Sequence, residues 1–341
     1  MFAKHLMLFH NMNIVTIGGG TGTFTVLTGL KKYSVDLTAI VTMADSGGST
    51  GRLRDEFGSL PVGDVRMALA ALADDDDGRN LLRDLFLFRF DKGEKGLHGH
   101  NFGNLFLVAL EELLGSQKEA ITAVSKILRV KGKVLPVTTQ DTHLVAQYSD
   151  GSVLKGETFI DEPPTTHDVT QRITKLGLDP VAKITPEART ALAKADVIVL
   201  GPGDLYTSLL ANCVVQGVRE AISQSKGKFL YVTNLMSKRG QTSQLTAADH
   251  IKEVEKYTGR MPDIVVHNNR KLPVSILQRY AHWGEYPIAD DLDTLRDVRI
   301  VRGDIIAIEA IKKSSGDMLR RSLIRHDADK LAKVIMDIIT E

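Results

Sequence analysis

Short runs of β-forming apolar residues alternate along this chain with polar, glycine-bearing turns and with stretches whose apolar positions recur three to four apart. The first unit opens with residues 13–17 (NIVTI), runs at once into Gly18, Gly19, Gly20, Thr21 and Gly22, and continues as a helical stripe through Leu27 and Leu30. Residues 37–42 (LTAIVT) are a second β-rich run, so the spacing predicts a βαβ unit of about thirty residues. That run ends in another polar loop, built from Asp45, Ser46, Gly47, Gly48, Ser49, Thr50 and Gly51. Helical patterns follow in DVRMALAAL and LLRDLFLF, on either side of an acidic stretch, residues 74–77, that reads as a solvated turn.

A polar loop over residues 98–104 then feeds an apolar helix reaching to about Leu114, with a second helix over residues 119–129. Beyond it the period changes. Residues 134–138, 143–148 and 153–160 cluster or alternate β-formers, and residues 149–152 (SDGS) suit a hairpin turn, which predicts an antiparallel insertion over about residues 133–180. From Asp196 the α/β alternation resumes, with VIVL before Gly201, Pro202, Gly203 and Asp204, FLYVT before Asn234, and DIVV before His267 and Asn268. A helix with Leu331, Val334, Ile335 and Ile338 on one stripe closes the chain. The expected fold class is α/β: a Rossmann-like, mostly parallel sheet with helices on both faces and a small antiparallel β insertion. With no internal repeat and no low-complexity linker, residues 12–341 read as a single domain behind an N-terminal extension, residues 1–11. Because Met12 directly precedes the first strand, Met1 and Met12 both fit as a start.

Composition changes this picture little. With 341 residues, 43% hydrophobic and 25% charged, the chain has ample apolar material for a core, which excludes disordered and fibrous classes. Lys+Arg 43 against Asp+Glu 42 leaves a net charge of +1, so the electrostatic footprint of a duplex-DNA binder is missing and no nucleic-acid partner is expected. No apolar run approaches the roughly 18 residues that span a bilayer, and the opening residues lack the small-residue cleavage site of a signal peptide. The single cysteine, Cys213, rules out an internal disulfide or cysteine zinc site and fits a reducing, cytoplasmic compartment. Its apolar helical surroundings, LLANCVVQGV, place it in the core.

Open α/β sheets bind ligands beyond the carboxyl ends of their strands, so the turns carry the candidate chemistry. In the first turn, glycines let backbone N–H groups approach a phosphate while the following helix presents its positive end. A tight strand-to-helix turn would use the same glycines. Thr23 stands where the dinucleotide fingerprint needs a third glycine, and no Walker motif occurs, which disfavours a nicotinamide dehydrogenase and a P-loop NTPase. Asp45 lies where an acidic residue would hold a ribose hydroxyl. The second loop adds Arg52 and Arg54 to its glycines and hydroxyls, a set suited to a diphosphate, unless those arginines simply pair with Asp55 and Glu56. Asp64 reads as the cap of the next helix. His98 and His100, followed by Asn101 and Asn104, lack a third ligand at zinc spacing, and either asparagine suits the helix start there. Gly201, Gly203 and Asp204 repeat the strand, glycine turn, helix order and give a second anion-binding end. Asn234 and Asn268 follow buried-type strands, where an amide reads a base or sugar edge or merely shapes the turn. Tyr280 and Trp283, beyond Pro273, fit a stacking platform or a partner surface.

Taken in order, GGGTGTFTVLTGL, ADSGGSTGRLRDEFG, PVGDVRMALAALAD, HGHNFGNLFLVAL, VLGPGDLYTSLL and YVTNLMSKRGQT resemble the successive motifs of the gluconeogenesis factor family, the YvcK-like branch of the CofD-like proteins. The resemblance runs from about Met12 to the final helix. It implies a cytoplasmic bacterial protein with a Rossmann-like core, linked to growth on gluconeogenic carbon sources and to cell shape through cell-wall synthesis proteins, with a UDP-sugar such as UDP-N-acetylglucosamine as ligand. The sister branch transfers a 2-phospho-lactate group from a nucleotide diphosphate carrier to a deazaflavin acceptor with magnesium. The family's sugar-nucleotide contacts include an aromatic and an arginine in the C-terminal half, for which Tyr280 and Arg325 are the candidates here. Two positions depart from the family pattern. Ser46 replaces the second carboxylate of Asp-Asp-Gly-Gly-Ser, which weakens a two-carboxylate metal site, and Asp204 replaces the serine of Gly-Pro-Gly-Ser, where it repels phosphate unless it caps the helix or holds a cation.

The leading expectation is a non-catalytic, nucleotide-sugar-binding regulator. The pyrophosphate rests on the two glycine turns, Arg52 and Arg54 neutralise its charge, and Asp45 holds ribose or magnesium. The competing expectation is a magnesium-dependent enzyme of the 2-phospho-L-lactate transferase type in which Asp45 and Asp64 hold the metal. A homo-oligomer is compatible with either.

Overall fold

Strand β1 (Asn13–Gly18) is buried at every position after Asn13, the mark of a strand covered on both faces. Helix α1 (Gly20–Leu30) follows without a loop, and β2 (Asp36–Val41) returns parallel to β1 with Ile14 opposite Leu37 and Ile17 opposite Ile40. The remaining strands are β3 (Lys133–Pro136), β4 (His143–Tyr148), β5 (Val153–Lys155), β6 (Ile173–Asp179), β7 (Val197–Leu200), β8 (Lys228–Val232), β9 (Ile264–Asn268) and β10 (Arg299–Gly303). The computed structural model describes residues 12–74, 80–92, 96–307 and 323–341. Among these, seven strands form one sheet in the order β10-β9-β8-β7-β1-β2-β3, with every neighbouring pair parallel. A separate three-stranded antiparallel sheet has the order β5-β4-β6. The fold is therefore α/β, as the alternation of elements implies.

Three local expectations need correction. Residues 133–136 belong to the parallel sheet, where β3 pairs with β2, so the antiparallel sheet begins at His143. The β-rich run 153–160 is not one strand: Gly156, at φ +103°, turns the chain out of β5 and into a helix over Glu157–Asp161. The second glycine loop is a helix from Gly48, and we label the helices that build the site α2 (Gly48–Phe57), α3 (Gly63–Leu72), α4 (Phe102–Leu114), α5 (Glu157–Asp161), α6 (Val274–His282) and α7 (Ala328–Thr340). The N-terminal extension and residues 75–77 of the acidic stretch lie outside the described residues, while Asp74 pairs with Lys131 at 3.0 Å.

Packing ties these pieces together. Helix α1 touches both α3 and the C-terminal α7, so the two ends of the described chain meet. One buried cluster contains Ile14, Ile40 and Leu200 of the large sheet together with Leu144, Ala146 and Tyr148 of the small one. Each such fully buried aliphatic side chain contributes about 1.5–3 kcal/mol, so the small sheet is welded to the core, and the helix that follows β5 inherits that rigidity.

Candidate ligand-binding cleft

The chain leaves β1 towards β2 and β3 but leaves β7 towards β8, β9 and β10, so the strand order reverses between the neighbours β1 and β7. A cleft of about 1590 Å³ opens at that reversal, where α/β sheets bind their ligands. Two glycine turns meet there. A Cβ on Gly22 would lie 2.0 Å from the Pro202 carbonyl oxygen and 3.1 Å from the Gly203 nitrogen, so only a glycine lets the turns touch. Gly19, Gly20, Thr21, Gly22 and Gly203 line the cleft. Gly18 and Gly201 stand behind that lining, and Thr23 is buried with its hydroxyl 2.4 Å from where a Cβ on Gly18 would sit.

Carboxylates form one wall. Asp64 is not the cap of α3, whose cap position is Val62; its Oδ1 instead accepts the Gly20 N–H at 2.6 Å and sits on the positive end of α1. Asp45, in the loop that follows β2, accepts the Gly47 N–H at 2.9 Å. Helix α5 brings Glu157 and Asp161 to the same cleft. Burial, followed by the negative fields of Asp45, Asp161 and Asp64, pushes the Glu157 carboxyl well above the usual range. Ser46 does not line the cleft; its Oγ accepts the Thr158 N–H at 3.1 Å and so fastens α5 to the loop. Gly47 lines the cleft, and Gly48 begins α2 behind it.

A buried polar network supports this wall. Asn101 caps α4 by accepting the Gly103 N–H at 3.2 Å. Asn104 accepts from Arg66 Nε at 2.8 Å and donates to Ser49 Oγ at 3.2 Å and Thr50 Oγ1 at 3.3 Å. Ser49 also meets His100 Nδ1 at 3.1 Å, and burial, with Arg52 nearby, lowers the basicity of that ring. Ser49, Asn101 and Asn104 all line the cleft.

Arg52 and Arg54 do not. Because α2 is a helix, their side chains are carried away from the ligand: Arg52 donates to the His98 carbonyl at 2.9 Å, and Arg54 bonds Asp141 and the Thr142 carbonyl. Arg54 is a structural strut joining α2 to the start of β4. Arg54→Ala is expected to lower stability by about 1.5–3 kcal/mol, through loss of charge-assisted hydrogen bonds, with ligand affinity unchanged. Chemical denaturation alongside calorimetry checks both halves.

Cationic side chains from the C-terminal half line the same cleft: Lys238, Arg239, Arg279 and Arg325. Lys238 bonds Asp161 at 3.0 Å and approaches Asp204 at 3.7 Å. Asp204 makes no capping bond to the π-helical turn Leu205–Leu210 that it precedes, so the cation it holds is this ammonium. Burial opposes the charge on Lys238, but Asp204 and Asp161 overcome it and hold the ammonium pKa above its ordinary value. The Tyr280 ring lines the cleft while its hydroxyl accepts the Leu323 N–H at 2.9 Å, anchoring the segment that presents Arg325. Trp283 meets that ring edge-on at 5.5 Å. Asn234 lines the cleft. Asn268 shapes its own turn by donating to the Arg270 carbonyl at 2.9 Å. Cys213 is buried core, and burial pushes its thiol up to about 12. Glu157, Asp161, Lys238, Arg239 and Arg279 escape the motif reading; the basic pair in SKRG, just past the end of β8, was the available signal for two of them.

Residues 14–306 match the family model described as 2-phospho-L-lactate transferase CofD. A gluconeogenesis factor homologue from Nostoc sp. is 41% identical over 337 residues, covering 97% of this chain and 70% of that protein. The gluconeogenesis factor of Bacillus subtilis is 38% identical over 332 residues, covering 96% of this chain and 98% of that one. A crystal structure of a Bacillus halodurans protein, 35% identical, superposes with a TM-score of 0.85 over 96% of this chain and 99% of its own. Carrying the family's motifs on the family's fold, the chain belongs to the CofD family, in its gluconeogenesis factor branch.

Proposed function

We propose that this protein is a regulator that binds a nucleotide sugar of the UDP-N-acetylglucosamine type, acting in the cytoplasm with cell-wall synthesis proteins to maintain cell shape during gluconeogenic growth. Among the described residues no helix is long and apolar enough to cross a membrane, in keeping with that location. The observation that carries the reading is the meeting of Gly22 with Pro202 and Gly203 at the reversal of strand order, in a cleft lined by both carboxylates and cations. A diphosphate needs backbone donors and cations; the two turns offer the first, and Arg239, Arg279 and Arg325 take the role expected of Arg52 and Arg54, while Lys238 is held by Asp161 and Asp204. Asp64 already holds the Gly20 N–H, so the diphosphate lies beside a carboxylate rather than in an open cradle.

That carboxylate wall favours a second reading, a magnesium-dependent transferase. Oxygen-only donors suit a hard divalent cation. Among the described residues no three ligating side chains converge on one point, so Asp45 and Asp64 would hold magnesium together with phosphate oxygens and water, and the ion would neutralise charge there.

Calorimetry with UDP-N-acetylglucosamine, with and without magnesium, tests the first reading against Gly20→Val. Gly20 has φ +60°, a conformation valine resists, so the turn distorts and affinity is expected to fall about tenfold or more. Equal affinity removes the turn from the site. Metal-dependent product from a nucleotide-diphosphate donor would install the transferase instead.

A further inference from the structure

Helix α4 is apolar on two opposite sides, and among the described residues the fold covers only one of them. Gly103, Asn104, Leu107 and Val108 are buried, the two aliphatic side chains in the core and Asn104 in the polar network beside the cleft. Phe102, Phe106, Ala109 and Leu113, spaced four, three and four apart, make a second stripe on the other side. Ala109 is exposed and Leu113 is 77% exposed, while Phe102 and Phe106 stack with ring centroids 5.8 Å apart and are half-buried. A helix with apolar residues all round is normally enclosed on every side. The stripe continues onto the next element. The helix over Asn80–Leu87 packs on α4, with Phe86 edge-on to Phe106 at 6.2 Å. It exposes Leu81, Leu85 and Phe88, one turn apart on one face, Leu81 by 75%. Phe88 adjoins Phe102, whose N–H donates to the Phe88 carbonyl at 2.9 Å, so the two stripes form one surface.

We propose that this surface is a two-fold interface with a second copy of this chain, α4 lying antiparallel on its counterpart. The apolar side chains that the two helices expose cover on the order of 600 Å², at the upper end of what a monomer leaves bare and close to the roughly 800 Å² per partner of a standard interface. A two-fold contact needs a patch that complements itself. Phe106 and Ala109 are the two central members of the stripe, so a ring of one copy faces a methyl group of the other, large against small, in both directions. Antiparallel pairing also brings the exposed Glu112 of one copy towards the positive N-terminal end of the other copy's α4. The net charge of +1 adds no repulsion between copies. Leu87, Phe88 and Arg89 line the cleft, so the second copy stands along its rim, whatever the cleft binds.

Sedimentation velocity across a micromolar concentration range tests the interface. Wild type is expected at twice the chain mass. Leu113→Glu, an exchange at an exposed position that costs the monomer little, is expected to raise the dissociation constant about a hundredfold or more. Val181→Glu, 68% exposed just beyond β6, is the control and stays dimeric. Ala109→Cys reads the contact independently of stability: a short bismaleimide is expected to join two copies through it, while the buried Cys213 leaves wild type unlinked. A wild-type monomer, which would leave the stripe to a different partner, overturns the interface. So does a dimer that Leu113→Glu leaves intact or that Val181→Glu dissociates as strongly, and so does an Ala109→Cys protein that the reagent does not link.

Discussion

Gly22→Val is expected to cost on the order of 3 kcal/mol or more of stability and to abolish ligand uptake. A Cβ at this position falls 2.0 Å from the Pro202 carbonyl oxygen and 2.6 Å from its carbon, both main-chain atoms. Carbon and oxygen approach no closer than about 3.3 Å even in weak hydrogen bonds, so one turn must move by about an ångström. No rotamer change relieves that, because α1 is joined directly to β1 and the Pro202 turn directly to β7, strands that pair with each other in the sheet centre. Overpacking that displaces backbone exceeds the usual 1–3 kcal/mol of side-chain crowding. A fall in the urea midpoint measures it. Gly20→Ala is the comparison: its φ of +60° is strained for alanine, but nothing lies within 4 Å of the new carbon, so about 1–2 kcal/mol is expected. A Gly22→Val protein with a wild-type midpoint would mean that the two turns are not in contact.

Acid should weaken the fold next most strongly. His250 and His326 are buried, and desolvation lowers each ring to about 4 from the 6.5 of an exposed imidazole. Their neutral rings are fully compatible with the fold above pH 6.5. Between pH 6.5 and 4 the unfolded chain binds protons that the folded chain refuses, so stability falls as pH falls through that window. Each ring contributes about 2 kcal/mol of loss between pH 7 and pH 5, about 4 together, a large part of a typical 5–15 kcal/mol. Denaturation midpoints at pH 7, 6 and 5 give the slope. His250→Gln, which removes the ring bonded to Tyr231, should remove about half of it. The raised Glu157 carboxyl works the other way, gaining stability as pH falls, so the profile is read in Glu157→Gln as well, and a flat profile there would show that water or a counter-ion reaches both rings.

The cleft gives the family's motifs different work from what their order along the chain suggests. Of the arginines beside the second glycine run, Arg54 braces α2 against the start of β4 and Arg52 ties it to the His98 carbonyl, and the cationic side chains that line the cleft come mostly from the far half of the chain. Asp64, placed by its motif at a helix start, reaches across to α1 and occupies the positive end that a bare glycine turn would offer to a phosphate. Affinity for an anion at this turn therefore depends on what neutralises Asp64.

Local pattern alone was enough for β1, α1 and β2, for the short apolar runs that became β7, β8 and β9, and for the striped C-terminal helix. Periodicity and turn chemistry are properties of neighbouring residues, so they are readable before folding. Helix α2 was not readable, since GGSTGRLRDEF has few apolar positions; it is helical because Ser49, Thr50 and Leu53 are buried and the first two meet the amides of α4. Gly156 likewise broke an apparent strand and delivered Glu157 and Asp161 to the cleft. Which charges meet was decided only in three dimensions. Arg54 finds Asp141 across 87 positions where α2 packs beside the start of β4, and Lys238 finds Asp161 across 77 where the segment after β8 meets α5 at the cleft. Electrostatic partners at such separations leave no periodic trace in a sequence; they follow from which segments long-range packing sets side by side.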